Sequence, residues 1–377
     1  MEEHYYQAPE WFIANHHRYD CFPADGLKVF LGEYASKGNT WFDALAEASF
    51  MVGLERNARS VGMACYAPML CNADYCNWKP DMLWFDNHQL MRTPNYYVQK
   101  LFMEHQGDVL LAQEMIGEKK AVPLFPFAEH LTGGLTLSGD ESVVEFSHIT
   151  IANLETGELR EIPGTVLSKG SEEQFICSAD WANYSISLRA KELEGWKGFQ
   201  VCYAGQDAGN RFVWTLGGWD NSSSLISEFT HGKDSVLTMK ERHIERGRSY
   251  RLEIRVQGRT IETFVDGEPE TATQSLPPLA EPLYAVSSRE RKSGDVIVKL
   301  VNVLPKPQLV SVELEGMAAA AGAAYIMSGY DCKAQNVLGE AETVVPREKR
   351  VAFAAGTFEW QVPAESVCIL RLHDPKQ

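Results

Sequence analysis

One carboxylate stands out by its setting. Glu33 closes the apolar run KVFLGEYA (28–35), after Gly32 and before Tyr34 and Ala35. If that run is a barrel strand, a carboxylate at its C-terminal end points to where such proteins bind substrate. Cleaving a glycosidic bond needs two carboxylates, one as nucleophile or base and one to protonate the leaving oxygen. The plainer reading is a charged strand end at the surface, and spacing by itself favours it. Trp78 and Trp84 follow a later apolar run. Either stacks on sugar rings or fills a core; Trp84 reads as core and Trp78 stays open. His16 and His17 are adjacent and cannot share a face of a regular element, so they read as surface or helix-end residues rather than a metal pair. Cys65, Cys71 and Cys76 have five and four residues between them, unlike the C-x2-C spacing of zinc sites, and read as scattered reduced thiols. Trp214, Trp219 and Asp220 lie at a Gly-Gly turn, where they form a sugar platform or are turn and core residues. The sequence leaves both open.

Two kinds of element must position these residues. Up to about residue 120, strands and helices alternate. KVFLGEYA (28–35) and VGMACYAPML (61–70) read as strands, and MLWFDN (82–87) as a short strand or loop. NTWFDALAEASFMVGLERNARS (39–60) reads as a helix, with apolar steps of three and four and a capping-box pattern at Thr40 and Asp43. TPNYYVQKLFMEHQ (93–106) reads as another, with Pro94 suited to its first turn. Alternation with apolar strands predicts parallel pairing. Beyond residue 120 the pattern is all-β, with short alternating runs such as YSISLRAKEL and SVCILRL between Gly, Asn, Asp and Pro turns. Hairpin turns are predicted at Gln257-Gly258 and Asp266-Gly267, and the alternation Tyr250, Leu252, Ile254, Val256 predicts a core face. MAAAAGAA (317–324) reads as a variable loop or linker. About 250 all-β residues exceed one ordinary sandwich, which implies two.

Composition sets bounds. The chain has 377 residues, 35 Lys+Arg against 51 Asp+Glu and a net charge of −16. That balance argues against nucleic acid and against an anionic membrane surface. With 45% hydrophobic residues, whole-chain disorder is excluded. Nine Trp and fourteen Tyr fit carbohydrate handling. The opening MEEHYYQAPEWF has no basic or apolar signal region, which favours a cytoplasmic location and no disulfide framework.

The stretches EHYYQAPEWF (3–12), RYD (18–20), KVFLGEYAS (28–36), ALAEASFMVGLERN (44–57), VGMACYAPML (61–70), NWKPDMLWFDN (77–87) and TPNYYVQKLF (93–102) resemble, in order and spacing, the closing part of a glycoside hydrolase family 51 α-L-arabinofuranosidase. The resemblance implies that Glu33 is the catalytic nucleophile of a retaining enzyme releasing arabinofuranosyl residues from plant polysaccharides. It implies that His4 and Tyr6 end the preceding barrel strand and contact the nucleophile or the sugar; Trp78 is a further substrate-binding candidate by residue type alone. It implies no cofactor and no metal. Residues from about 283 to 377 resemble the family's C-terminal β-sandwich. The segment between resembles a concanavalin or laminin-G jelly roll, on the pattern SYRLEIRVQGRTIETFVDG.

The expected organisation is α/β plus all-β. A partial (β/α) barrel segment spans 1–107, a β-sandwich spans 108–132 and 282–377, and a jelly roll spanning 133–281 is inserted into it. A full barrel takes about 250 residues, and three strand–helix units cannot close one. In the family the general acid lies in an Asn-Glu pair, and this sequence contains no such dipeptide. The expectation is therefore a hydrolase that is weak or inactive as this chain alone, or else a non-catalytic carbohydrate-binding or structural subunit. The partners expected are an arabinose-containing oligo- or polysaccharide, a chain supplying the other barrel units, or a second copy.

Overall fold

The computed structural model describes residues 1–78, 80–117, 120–125, 128–230 and 233–374. The chain divides into two compact units, one of Met1–Phe125 with Pro278–Gln377, the other of Pro126–Pro277.

In the first unit, strands β1 (Glu2–Gln7), β2 (Val29–Ser36) and β3 (Val61–Tyr66) form a parallel sheet in the order β1-β2-β3. Helices α1 (Pro9–Ala14) and α2 (Trp41–Arg56) link them, and α3 (Pro94–Glu104) packs on α2. The predicted start of α2 is correct: Thr40 caps it in a reciprocal capping box with Asp43. Pro94 opens α3 as expected, where its missing N–H breaks no hydrogen bond.

Helix α2 is buried on every side, from Trp41 and Ala44 to Val52 and Leu54. One flank meets Leu31 and Tyr34 of the parallel sheet. The other meets Tyr284, Ile297, Val301 and Ile369 of an antiparallel sheet. A helix between two sheets needs no polar face. The antiparallel sheet runs Arg347–Phe353, Ala320–Met327, Ser366–His373, Val296–Asn302, Tyr284–Arg289, Val109–Leu110. It overturns the reading of 317–324 as a loop or linker. Residues Ala320–Met327 form an inner strand, and Ala320 and Ala324 are fully buried. The small side chains are a packing requirement, since a Cβ on Gly322 would lie 2.0 Å from the Arg371 carbonyl oxygen.

The second unit is two antiparallel sheets face to face. One is built around Val143–Asn153, Asn183–Glu194 and Ser249–Gln257, the other around Gly133–Ser138, Phe199–Asp207 and Asn210–Gly217. Tyr250, Leu252, Ile254 and Val256 point into its core, as alternation predicts. Asp266 and Gly267 both have positive φ in the turn from Val265 to Glu268, as a tight hairpin needs. The first hairpin turns one residue later than predicted, at Gly258-Arg259, because Gln257 pairs with Thr260. Among the described residues no helix is long and apolar enough to cross a membrane.

Candidate functional site

Strand alternation sorts the β1 side chains onto two faces. Glu3 and Tyr5 face the helices. Glu3 takes hydrogen bonds from Arg18 Nη2 at 2.9 Å and the Tyr19 hydroxyl at 2.7 Å, and the Arg18 guanidinium lies 4.9 Å from the Tyr5 ring. Asp20 accepts from Arg56 Nη2 at 2.9 Å and Asn57 Nδ2 at 2.6 Å. The RYD and ERN stretches are thus two halves of one clasp between the α1–β2 segment and the end of α2, and their role is structural.

Glu2, His4 and Tyr6 point to the other face. There the Tyr6 hydroxyl donates to Glu33 Oε2 at 2.6 Å, and His4 Nδ1 lies 3.7 Å from the same oxygen. His4 Nε2 is 3.1 Å from Glu2 Oε1, so the imidazole is held between two carboxylates. The register slips between Glu3 and His4, setting His4 opposite Glu33 and leaving Gly32 as the extra residue of a bulge. A Cβ on Gly32 would come within 2.7 Å of Glu2 Oε1 and 2.8 Å of His4 Nε2, so glycine leaves the room these side chains occupy. Burial, then the bond to Glu33, push the Tyr6 phenol well above its ordinary range, so it stays protonated and donating at neutral pH. Glu33 itself remains partly open, with 43% of its side chain accessible.

Trp78 joins this group, with its ring centroid 5.5 Å from that of Tyr6, edge to face, and the side of the indole exposed. Trp84 departs from the expected core placement. It is half-buried, and its indole nitrogen donates to Asn39 Oδ1 at 3.2 Å and the Asp81 carbonyl at 3.3 Å. His16 and His17 follow the end of α1 as expected, and His17 is exposed. Their ring centroids lie 3.6 Å apart because the chain is turning there rather than helical, and His16 is buried. Burial, reinforced by His17, pushes His16 down to about 4, so it is neutral at pH 7.

In the second unit Trp214 cannot belong to an exposed platform. It is fully buried, with its nitrogen bonded to Ser224 Oγ at 3.0 Å. Its position follows from alternation, since Phe212, Trp214 and Leu216 share one face. Trp219 is 63% exposed. It stands on a left-handed turn in which Trp219, Asp220 and Asn221 all have positive φ. Asn221 fastens that turn through both amide atoms to the backbone of Ile244, at 2.8 and 2.9 Å.

Glu2 and Asp81 are site neighbours that sequence reasoning passed over. Asp81 bears electrostatically on Tyr6, and its burial holds its carboxyl above the ordinary range. The Glu2-x-His4-x-Tyr6 alternation carried the signal for Glu2; nothing local marked Asp81.

Parallel strand–helix units with a carboxylate in the C-terminal half of one strand, joined to antiparallel sandwiches, define a multi-unit α/β-plus-β protein with an acidic, aromatic-flanked site. The chain belongs to the α-L-arabinofuranosidase C-terminal domain family, whose model matches residues 31–366. It is 34% identical over 390 aligned residues to the extracellular exo-α-L-arabinofuranosidase of Streptomyces chartreusis, covering 99% of this chain and 47% of that protein. It is 35% identical over 124 residues to α-L-arabinofuranosidase 1 of Arabidopsis thaliana, covering 32% and 18%. An arabinose-bound GH51 α-L-arabinofuranosidase structure has a TM-score of 0.50 at 18% identity, over 98% of this chain and 36% of that one, a likeness of fold. The chain spans about half the length of the Streptomyces relative or less of the others.

Proposed function

We propose that this chain is the nucleophile-bearing part of a retaining α-L-arabinofuranosidase that releases terminal arabinofuranosyl residues from plant polysaccharides. The observation that carries this reading is Glu33 in the C-terminal half of a parallel strand, hydrogen-bonded by Tyr6 at 2.6 Å with His4 beside it. Glu33 attacks the anomeric carbon, the glycosidic bond breaks, and a covalent arabinosyl ester forms that water then hydrolyses. Tyr6 hydrogen-bonds the attacking carboxylate and aims it.

On this reading residues 1–107 are the last three units of a (β/α)8 barrel. Residues 108–132 and 282–377 are its C-terminal sandwich, and 133–281 an inserted jelly roll. The general acid belongs to barrel units outside 1–107. Phe30 and Met63, paired across β2 and β3, are 40% and 58% exposed, which supports further units covering the sheet. Those units come from the same protein or a partner chain.

The test is hydrolysis of an aryl α-L-arabinofuranoside whose leaving group needs little acid help. Slow turnover that falls at least ~10³-fold in Glu33→Gln is expected; equal rates in the two proteins would overturn the assignment.

A second reading, carbohydrate binding without turnover, is supported by Trp219. An exposed indole on a strained, doubly fastened turn is the kind of feature found at ligand sites. Titration with arabinan and other plant glycans should show binding lost in Trp219→Ala; identical titrations for both proteins would dismiss it.

A further inference from the structure

After β3 the chain makes a short excursion. Strand Leu70–Asn72 leads to a single helical turn, Ala73–Tyr75, and strand Leu83–Phe85 then pairs back in parallel on Leu70–Asn72. The pairing closes the excursion at its base and brings together three residues that spacing did not connect. Cys71 Sγ, Cys76 Sγ and a carboxylate oxygen of Asp81 all lie within 4.8 Å of one another.

We infer that Cys71, Cys76 and Asp81 form a binding site for one zinc ion, which braces the loop carrying Trp78. Tetrahedral zinc with bonds of about 2.3 Å to sulfur sets its ligands about 3.8 Å apart, so the three atoms need close by only about 1 Å. Two sulfurs and one carboxylate suit zinc and not magnesium or calcium, which take oxygen ligands.

Burial supplies the independent observation. Asp81 is 4% exposed, and its Oδ2 is enclosed with no hydrogen-bond partner among the described residues. A buried carboxylate whose one side-chain donor is the Cys71 thiol is a position that a cation satisfies once that thiol is deprotonated. Asp81 is also held in place, since its backbone N–H donates to Asn39 Oδ1 at 3.3 Å. Cys71 is buried, while Cys76 is partly accessible, which leaves an entry route and a fourth position for water. Binding releases both thiol protons to solvent and leaves Zn²⁺ with two thiolates and one carboxylate, a net charge of −1 at the site.

Among the described residues the other group of suitable atoms, His16, His17 and Glu281, is already committed. His16 Nδ1 bonds the Ile13 carbonyl and His17 Nδ1 bonds Asp20.

The consequence for the site runs through the backbone. Cys76 lies two residues before Trp78 in the chain, and the Trp78 ring meets Tyr6 edge to face. Fixing Cys76 therefore fixes the aromatic that flanks Glu33. The zinc site does not rest on the glycosidase reading and is tested without any activity.

The full chain, purified under reductant, is loaded with zinc alone and dialysed against metal-free buffer. Bound metal is then measured by mass spectrometry of the elements, alongside Cys76→Ser and Asp81→Asn. The expected result is one zinc per chain, at least tenfold less retained in Cys76→Ser, and a zinc-dependent rise in melting temperature that both variants lose. Cobalt in place of zinc should give a thiolate charge-transfer band in the wild-type protein that Cys76→Ser weakens. Zinc retention equal in wild type and Cys76→Ser, retention below a tenth of an equivalent, or a Cys71–Cys76 disulfide in the reduced preparation would each overturn the site.

Discussion

The Tyr6 hydroxyl reaches Glu33 Oε2 across 2.6 Å from the neighbouring parallel strand, 27 positions away in sequence. The pair is a donor kept protonated by burial and an acceptor left partly open, so the bond has a fixed direction. A hydrogen bond to a charged group contributes about 1.5–3 kcal/mol.

Tyr6→Phe should therefore lower the rate on an activated aryl arabinofuranoside by about 10- to 150-fold, with unchanged far-UV circular dichroism. A rate within twofold of wild type would show that Tyr6 does not act on Glu33.

Glu47 sets a pH dependence. It is fully buried, and burial pushes it up to about 8 despite bonds to Oε1 from Ser36 N–H at 2.8 Å and Asn95 Nδ2 at 2.9 Å. Its Oε2 has no partner among the described residues. The folded state favours the protonated carboxyl, whereas the unfolded carboxyl titrates near 4.5. The unfolded state thus binds fewer protons between these values, and stability falls as pH rises. The contribution is complete below pH 4.5 and lost by about pH 8. Glu47→Gln should flatten this slope and gain on wild type by ~2–4 kcal/mol at pH 8, read by denaturant unfolding across pH 5–8. Parallel curves for the two proteins would refute it.

Lys299 is 1% exposed, paired with Glu55, and donates to the Phe102 carbonyl at 3.1 Å. Removing one partner strands a buried charge. Lys299→Met alone should cost about 3–5 kcal/mol, and Lys299→Met with Glu55→Leu should recover most of it. Equal losses in the single and double variants would argue against the pair.

Gly53 lets α2 approach the end of the α1 segment. A Cβ there would lie 2.0 Å from the His16 carbonyl oxygen, which is backbone and cannot swing away. Although alanine favours helix, Gly53→Ala should destabilise by about 1–3 kcal/mol in thermal or denaturant melts. A stabilised variant would show that the contact relaxes freely.

Local sequence determined the elements here, because periodicity and caps act within one or two turns. The parallel strands, the capping box at Thr40 and the core face from Tyr250 to Val256 were legible, whereas β2 runs on to Ser36 and sets Glu33 inside the strand rather than at its end. The family resemblance added His4 and Tyr6 as neighbours of Glu33. What required tertiary structure was every property set by a distant neighbour. The alanines of 317–324 look like a linker until Arg371 is seen pressing on Gly322. Trp214 and Trp219 are five residues apart, yet one faces a sheet core and the other stands on a left-handed turn. Cys71, Cys76 and Asp81 converge only because Leu70–Asn72 pairs with Leu83–Phe85. Burial and convergence are sums over contacts from far along the chain, and no short window of sequence contains them.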